Sequence, residues 1–208
     1  MDSPEVTEAV DALRGRLADG RRVILGIAGA PGSGKSTFAA WLQQQFPPGS
    51  AVVVPMDGFH LANSVIDGTP LRQRKGAMDT FDAGGYLALL RRLVSRDEDV
   101  VYAPEFRRTI DEPVAAAIAV PAAVPLVITE GNYLLAEQDP WKDVRAQLEE
   151  TWFIDTPQDL RMSRLIARHI GFGMEPESAR AWATGPDEAN ARIILATKAG
   201  ADRIIPRL

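Results

Sequence analysis

The 208-residue sequence predicts a doubly wound α/β fold, in which a parallel sheet is covered by helices on both faces. Short apolar runs alternate along the chain with segments of helical periodicity, as expected of repeated strand–helix units. Most of these runs are apolar throughout, which is typical of parallel strands buried on both faces. The first run is followed by a glycine-rich turn and a helix. No internal repeat, low-complexity segment or long linker divides the chain, so we expect one domain spanning 1–208.

Each element is predicted from its own pattern. Continuous apolar, largely β-branched runs predict strands at 22–28, 51–55, 99–103, 126–129, 151–155 and 203–206. Apolar residues spaced i, i+3, i+4 predict helices at 6–17, 35–45, 83–94, 141–148, 158–169, 175–183 and 186–199. Asp82 is the predicted N-cap of the third helix, because an aspartate side chain can accept hydrogen bonds from the first free N–H groups.

Composition excludes several classes of protein. There are no cysteines and two histidines, so disulfides, thiolate metal sites and histidine-rich zinc sites are excluded. A formal net charge of −5 argues against a nucleic-acid partner. The longest apolar stretch, 117–128, is too short to span a membrane and is interrupted by Pro121 and Pro125. No signal-peptide pattern begins the chain, so we expect a cytoplasmic protein without a membrane partner. The sequence does not predict its oligomeric state.

The glycine-rich turn fits the phosphate-binding pattern G-x-x-x-x-G-K-[ST] at every fixed position. Its residues are Gly29, Ala30, Pro31, Gly32, Ser33, Gly34, Lys35 and Ser36, and Thr37 continues the helix. Such a loop binds phosphate oxygens with backbone N–H groups at a helix N-terminus. Lys35 is expected to reach the β- and γ-phosphates of ATP, and the Ser36 hydroxyl to bind Mg²⁺. A turn that binds nothing is the alternative, but the strand–loop–helix order favours phosphate binding.

Several classes of phosphate-loop protein do not fit. The guanine-reading motif [NT]-K-x-D of GTPases is not matched, because Gly200 stands where Thr197-Lys198-Ala199 would require an aspartate. The signature of ABC transporters is absent, and 208 residues is short for a helicase. These exclusions leave a small ATP-dependent kinase that acts on a small-molecule acceptor. The alternative is a nucleotide-dependent switch or assembly factor that acts on a protein partner.

Two carboxylates follow predicted strands. Asp57 stands just after the second strand, where ligands gather in open α/β sheets, and could accept the proton of an acceptor hydroxyl. An ordinary Asp57-Gly58 turn is an equal alternative on spacing alone. Glu130 follows the fourth strand and is expected beside the magnesium ion, although it could instead cap a helix.

Three arginines of the predicted helix 158–169 share one face. Arg161, Arg164 and Arg168 are spaced i, i+3 and i+7, which predicts side chains on the same side of the helix. Guanidinium groups there could offset the charge that develops on a transferring phosphoryl group. A solvated basic face is the alternative on spacing alone.

A wider set of motifs resembles one family. These motifs are Gly-Ala-Pro-Gly-Ser-Gly-Lys-Ser at 29–36, Met-Asp-Gly-Phe-His at 56–60, Asp-Thr-Phe-Asp at 79–82 and Thr-Glu-Gly-Asn-Tyr at 129–133. Together they resemble the phosphoribulokinase/uridine kinase/pantothenate kinase superfamily, over about 23–205. Within it the chain is most similar to a bacterial group described as nucleoside/nucleotide kinase-like or as fructose transport system kinases. The resemblance implies a P-loop NTPase kinase fold with a helical lid, near 161–173.

The resemblance also implies roles for individual residues. It makes Asp57 the catalytic base, with Lys35, Arg164 and Arg168 as further catalytic groups. It places Glu130 on the strand beside the magnesium, and Arg161 with the other lid arginines on ATP phosphates. It implies that Asp79 binds acceptor hydroxyls and that Phe106 packs against the acceptor.

Other positions are less clearly assigned by the resemblance. Arg107 and Asp111 differ from the residues that uridine kinases carry there, which argues against uridine itself. His60 could position the acceptor or be a structural histidine, and Asn190 could lie near the nucleotide. The basic residues at 72, 74 and 75 could neutralise an anionic acceptor or face solvent, and we expect them to face solvent.

The expected reaction follows from these assignments. Because a carboxylate accepts hydrogen bonds from hydroxyls but repels a phosphate, Asp79 favours a neutral, polyol-like acceptor. The expected acceptor is therefore a sugar-, nucleoside- or pantothenate-like metabolite, and the expected cofactors are ATP, as the phosphoryl donor, and Mg²⁺.

Overall fold

A computed structural model of the chain describes residues 3–206. Within them the strands are β1 (Val23–Ala28), β2 (Ala51–Pro55), β3 (Val100–Arg107), β4 (Glu112–Pro121), β5 (Leu126–Gly131), β6 (Glu150–Asp155) and β7 (Arg203–Pro206). The α-helices are α1 (Pro4–Leu17), α2 (Lys35–Gln43), α3 (Asn63–Ile66), α4 (Ala83–Ser95), α5 (Trp141–Arg145), α6 (Gln158–Gly171), α7 (Pro176–Trp182) and α8 (Glu188–Ala196). None of the helices in this range combines the length and apolar character needed to cross a bilayer.

Five strands form a parallel sheet in the order β2-β5-β1-β6-β7. The chain therefore leaves the central strand β1 towards one edge and later returns to its other side, which is the doubly wound arrangement. Pro55 pairs with Glu130, and Ala28 pairs with Gly131. This register brings the ends of β1, β2 and β5 to one edge of the sheet, so the segments that follow these strands lie side by side.

The sheet separates two hydrophobic clusters. One cluster packs α1 and α2 against one face, with Leu13, Phe38 and Trp152 fully buried. The other packs α4, α5 and α8 against the opposite face, around Tyr86 and Phe153. Strands β1, β5 and β6 are buried along nearly their whole length because helices cover both of their sides. The predicted doubly wound fold is confirmed.

The predicted third strand is not part of the parallel sheet. β3 pairs antiparallel with β4 in a separate two-stranded hairpin, with Val100 opposite Pro121 and Arg107 opposite Glu112. The prediction missed β4 because its apolar run is rich in alanine rather than in β-branched residues and has a proline near each end, Pro113 and Pro121. Both strands are largely exposed on one side, since the hairpin stands beside the sheet rather than inside it.

The C-terminal helices also differ from the prediction. α7 and α8 are joined by a π-helical segment, Ala183–Asp187, which contains Pro186. A proline cannot donate the usual backbone hydrogen bond, and wide π-turns accommodate such interruptions. The predicted helix at 186–199 is observed as the shorter α8, Glu188–Ala196, which begins after this π-helical segment.

A buried hydrogen-bond chain fixes α4 to the sheet. The helix begins at Ala83, and Asp82 caps it as predicted, because its Oδ1 accepts from the backbone N–H of Gly85 at 2.8 Å. Farther along, the Tyr86 hydroxyl lies 2.6 Å from Oγ1 of Thr129, and the Thr129 hydroxyl donates to the carbonyl of Val54 at 2.6 Å. The chain joins α4, β5 and β2 just before the ends of the two strands.

Replacing Tyr86 by phenylalanine should destabilise the protein modestly. Tyr86→Phe removes one buried hydrogen bond without opening a large cavity, so we expect the free energy of unfolding to fall by about 1 kcal/mol. Urea denaturation followed by circular dichroism measures the change. Tyr102→Phe, at a half-exposed position on β3, is the matched control and should have no effect. Equal stability of the two variants would contradict a stabilising role for this bond.

Candidate active site

The predicted phosphate-binding loop joins β1 to α2. Gly32 and Gly34 have φ angles of +78° and +85°, a region that favours glycine. A Cβ on Gly32 would lie 2.6 Å from the carbonyl oxygen of Arg161, so a side chain there would displace α6. The first turn of α2 leaves N–H groups without partners inside the helix. The loop therefore has the backbone shape and the helix N-terminus that bind phosphate oxygens.

Ser36 and Glu130 meet beside this loop. The Ser36 hydroxyl donates to Oε1 of Glu130 at 2.9 Å. Glu130 is almost fully buried, and its second oxygen, Oε2, has no hydrogen-bond partner among residues 3–206. A buried carboxylate oxygen without a partner is costly unless a ligand satisfies it. Within the same residues no cluster of three or more His, Asp or Glu side chains could hold a metal by itself.

Lys35 interacts electrostatically with Asp57, which follows β2, and with Glu130, the penultimate residue of β5. Burial lowers the pKa of Lys35, while the charges of Glu130 and Asp57 partly restore it. Burial raises the pKa of Glu130, and the nearby Lys35 ammonium opposes that rise. Lys35 thus offsets part of the cost of burying Glu130 and is itself stabilised by both carboxylates, whereas the negative charge of Asp57 raises the pKa of Glu130 further.

Asp57 lies in the short 3₁₀ turn Met56–Phe59 that follows β2. The next residue, Gly58, is pressed against the hairpin, since a Cβ there would lie 2.3 Å from the carbonyl oxygen of Pro104. Oδ2 of Asp57 accepts from Nη2 of Arg108 at 3.2 Å. Burial by itself would raise the pKa of Asp57, but the charge of His60 when that ring is protonated, and the permanent charges of Lys35 and Arg108, outweigh it and hold the pKa below its ordinary value. The carboxylate is therefore ionised at neutral pH.

His60 and Phe106 form an aromatic wall next to Asp57. The His60 ring lies 4.1 Å from the ring of Phe81 and 4.7 Å from that of Phe106, between centroids. Its Nδ1 lies 2.8 Å from the carbonyl oxygen of Asp57. Burial lowers the pKa of His60, so the ring is neutral at pH 7 and Nδ1–H donates to this carbonyl.

The three arginines of α6 occupy different surroundings. Arg161 is buried, and its guanidinium donates to the carbonyl of Pro31 at 3.0 Å and to Glu188 at 3.2 Å. Nη1 of Arg164 is buried beside Gly34 without a hydrogen-bond partner in the described part of the chain. Arg168 borders the open space above the loop. All three side chains therefore lie on the side of α6 that faces the phosphate-binding loop. Arg161 differs from the other two because it contacts the loop itself, through the carbonyl of Pro31.

A cavity of about 630 Å³ joins these groups. Among the predicted site residues, those that line it are Pro31, Lys35, Ser36, Asp57, His60, Phe106 and Arg168. Asp79 does not line the cavity; its carboxylate pairs with Arg74, and its side chain is half-exposed. Arg72 and Lys75, which were expected to face solvent, do line the cavity, as does Asn190.

Several lining residues were not predicted. Arg108 and Asn132 border the cavity on the side of Asp57, and the pair His169–Asp187 closes another side with its polar atoms 2.7 Å apart. Apolar side chains of Phe172, Met174 and Trp182 complete that side. Arg108 could have been suspected only from the hairpin, which the sequence did not reveal.

Comparisons with known proteins find relatives that match the chain over most of its length. No family model matches the chain. The Escherichia coli K12 protein named "Uncharacterized protein YggC" is 36% identical over 189 residues, covering 89% of this chain and 78% of that protein. "Putative uridine kinase C227.14" of Schizosaccharomyces pombe is 33% identical over 186 residues, covering 84% of this chain and 79% of that protein.

Solved structures of P-loop kinases have a similar fold. The structure of a "putative fructose transport system kinase" from Silicibacter sp. TM1040 aligns with a TM-score of 0.81 and 38% identity, covering 89% of this chain and 90% of that one. YFH7 of Saccharomyces cerevisiae, described as "a putative P-loop containing kinase with a circular permutation", aligns with a TM-score of 0.81 at 20% identity and supports the fold alone.

Loss of the buried Arg161 contacts should destabilise the loop and α6 together. We expect Arg161→Met to lower the free energy of unfolding by roughly 3 kcal/mol, because Glu188 and the Pro31 carbonyl would lose a buried cationic partner. Arg180→Met, on the exposed face of α7, is the control and should change little. Thermal and urea unfolding compare the two variants, and an unchanged stability of Arg161→Met would show that the buried contacts are not structural.

Proposed function

The chain belongs to the phosphoribulokinase/uridine kinase/pantothenate kinase superfamily of P-loop kinases, and we propose that it transfers the γ-phosphoryl group of ATP to a hydroxyl of a small metabolite. The observation that carries the proposal is the ionised carboxylate of Asp57 in the cavity that Lys35 and Ser36 of the phosphate-binding loop also line. A base, a phosphate cradle and room for a second substrate are thereby combined.

ATP phosphates would bind at the loop from Gly29 to Thr37. The backbone N–H groups at the start of α2 would hold the phosphate oxygens, and Lys35 would contact the β- and γ-phosphates. Arg168 borders the same space, and the unpartnered Nη1 of Arg164 lies at Gly34. These two arginines would offset negative charge on the transferring group, while Arg161 would hold the loop in shape. The segment 161–173 is the proposed lid.

Ser36 and Glu130 fit a magnesium site. The fit rests on the unpartnered, buried Oε2 of Glu130 and on the Ser36 hydroxyl 2.9 Å from the other oxygen of that carboxylate. When bound there, Mg²⁺ would supply positive charge that neutralises the β- and γ-phosphates. The small number of protein ligands agrees with the preference of this ion for water and phosphate oxygens.

Asp57 would act as the general base. It would accept the proton of the acceptor hydroxyl as the acceptor oxygen forms a bond to the γ-phosphorus. The bond between that phosphorus and the β–γ bridging oxygen would break, and ADP would leave with the electron pair. His60 and Phe106 would form the wall against which the acceptor packs.

The acceptor is proposed to be a sugar-, nucleoside- or pantothenate-like metabolite. A cavity of about 630 Å³ can hold such a molecule beside the triphosphate. Asp79 would bind acceptor hydroxyls only after it leaves Arg74, with which it pairs in this structure. The acceptor is therefore expected to be recognised chiefly by Asp57, His60 and Phe106.

Replacing Asp57 by asparagine should abolish transfer and spare nucleotide binding. Without the base we expect turnover to fall by roughly 10²–10⁴-fold. The measurement is ADP release in the presence of a panel of hydroxylated metabolites, with mass spectrometry of the phosphorylated product. Asp97→Asn, at an exposed position, is the matched control. Undiminished turnover in Asp57→Asn would exclude the base assignment, and ADP release that depended only on a protein partner would favour a nucleotide-dependent switch.

Protonation of Asp57 should not cause turnover to fall as the pH is lowered just below neutrality. The pKa of Asp57 is held below its ordinary value of 3.8, so its carboxylate form is lost only as the pH falls through that lowered pKa. We expect kcat at saturating substrate to stay nearly constant from about pH 7 down to about pH 5. A limb near pH 6 that is absent in His60→Gln would instead assign proton transfer to His60.

A further inference from the structure

Arg108 is a cation placed directly next to the proposed base. It follows β3 in the turn of the hairpin, and its side chain is 43% exposed in the cavity wall. Its Nη2 donates to Oδ2 of Asp57 at 3.2 Å, and its Cζ lies 6.0 Å from the centroid of the Phe106 ring. Arg108 therefore belongs to the same wall as Phe106, on the acceptor side of Asp57.

The other cations of this wall are already engaged. Nζ of Lys75 is largely buried and donates to Oδ1 of Asn63 and to both the carbonyl and the carboxylate of Asp111, at 2.6–2.8 Å. Arg72 pairs with Asp111 and Asp67. The charges of Lys75 and Arg72 are thus balanced by the carboxylates of Asp111 and Asp67.

Arg108 has most of its donors open. A guanidinium carries five N–H groups in a planar fork, and Asp57 is the only hydrogen-bond partner of the Arg108 side chain among residues 3–206. Such a fork binds carboxylate or phosphate with two parallel hydrogen bonds. An ionised Asp57 would repel an anionic acceptor, and a cation between the two removes this repulsion.

Asn132 offers a second polar contact in the same place. Its Oδ1 is buried without a hydrogen-bond partner among the described residues, and the side chain lines the cavity. Pro55 and Glu130 are paired in the sheet. Asp57 and Asn132 each follow one member of this pair by two residues, so both lie at the same edge of the sheet. A free oxygen there can accept a hydrogen bond from a second hydroxyl of the acceptor.

We propose that the acceptor is a hydroxy compound with an acid group, carboxylate or phosphate, which Arg108 binds while Asp57 takes the proton of a nearby hydroxyl. This inference rests on the proposed function and narrows it to acidic members of the acceptor classes, such as sugar acids, sugar phosphates or pantothenate-like acids. It replaces the neutral acceptor expected from Asp79, whose carboxylate pairs with Arg74 outside the cavity lining. The cations near the phosphate-binding loop, Lys35, Arg164 and Arg168, would then bind the phosphates of ATP.

Anion binding to the nucleotide-loaded protein tests the proposal. ¹⁵N-labelled protein is saturated with Mg²⁺ and the non-hydrolysable ATP analogue AMP-PNP, so that the phosphate-binding loop is occupied. Glycolate, inorganic phosphate and the neutral ethylene glycol are then titrated separately at constant ionic strength, and amide shifts are followed by NMR. We expect glycolate or phosphate to shift amides of the segments 57–60 and 106–111, and ethylene glycol to bind more weakly.

Two variants decide the role of Arg108. Arg108→Gln should lower the affinity for the anion at least about tenfold, as expected for loss of a charge-assisted hydrogen bond. Arg107→Gln, in the same hairpin but outside the cavity lining, should bind it as the wild type does. A response to glycolate alone identifies a carboxylate acceptor, and a response to phosphate alone identifies a phosphorylated one; either supports the proposal.

The opposite outcomes are equally distinct. If neither anion binds to the AMP-PNP complex, or if Arg108→Gln binds it with unchanged affinity, the proposal is overturned while the kinase function stands. If Arg108→Gln lowers the affinity for AMP-PNP but not that for ADP, and leaves anion binding unaffected, Arg108 contacts the γ-phosphate instead. If the wild type binds no nucleotide, the proposed function fails and this inference fails with it.

Discussion

The attraction between Lys35, at the start of α2, and the carboxylates of Glu130 and Asp57 holds the charged groups of the site together. Burial disfavours the charged forms of both Lys35 and Glu130, and each group partly restores the charge of the other. Asp57 completes the set, because the positive groups around it keep it ionised. The parallel register brings the ends of β2 and β5 together, which places the two carboxylates near Lys35. A shift of one strand would leave at least one of them without compensation.

The hairpin formed by β3 and β4 supplies the opposite wall of the site. It approaches the turn after β2 so closely that Gly58 cannot carry a side chain without displacing Pro104. That contact fixes the distance between Asp57 and the residues of the hairpin, including Phe106 and Arg108. In the proposed function the parallel sheet and α2 would form the nucleotide side of the cavity, and the hairpin would form much of the acceptor side. Variation in the hairpin could change the acceptor without altering the phosphate-binding loop.

The helical segment from α6 to α8 closes the cavity over the loop. Arg161 joins the loop to α8 through Pro31 and Glu188. The same helix carries Arg168 into the cavity. One helix therefore combines a structural contact with a side chain available to ligands, and a spacing of i, i+3, i+7 could not distinguish the two roles. The difference arises because α8 packs against only part of the arginine face.

Local sequence patterns were sufficient to predict the doubly wound sheet, the candidate phosphate-binding loop and the carboxylates of Asp57 and Glu130, because these features depend on short patterns of apolar residues, glycines and charges along the chain. They did not reveal the hairpin, the Arg108–Asp57 pair or the pairing of Asp79 with Arg74. Arg108 and Asp57 are separated by 51 positions in sequence, and no local pattern encodes such a contact. The set of side chains that share the cavity depends on how the hairpin and α6 pack against the sheet, because that packing sets the direction in which each charge points.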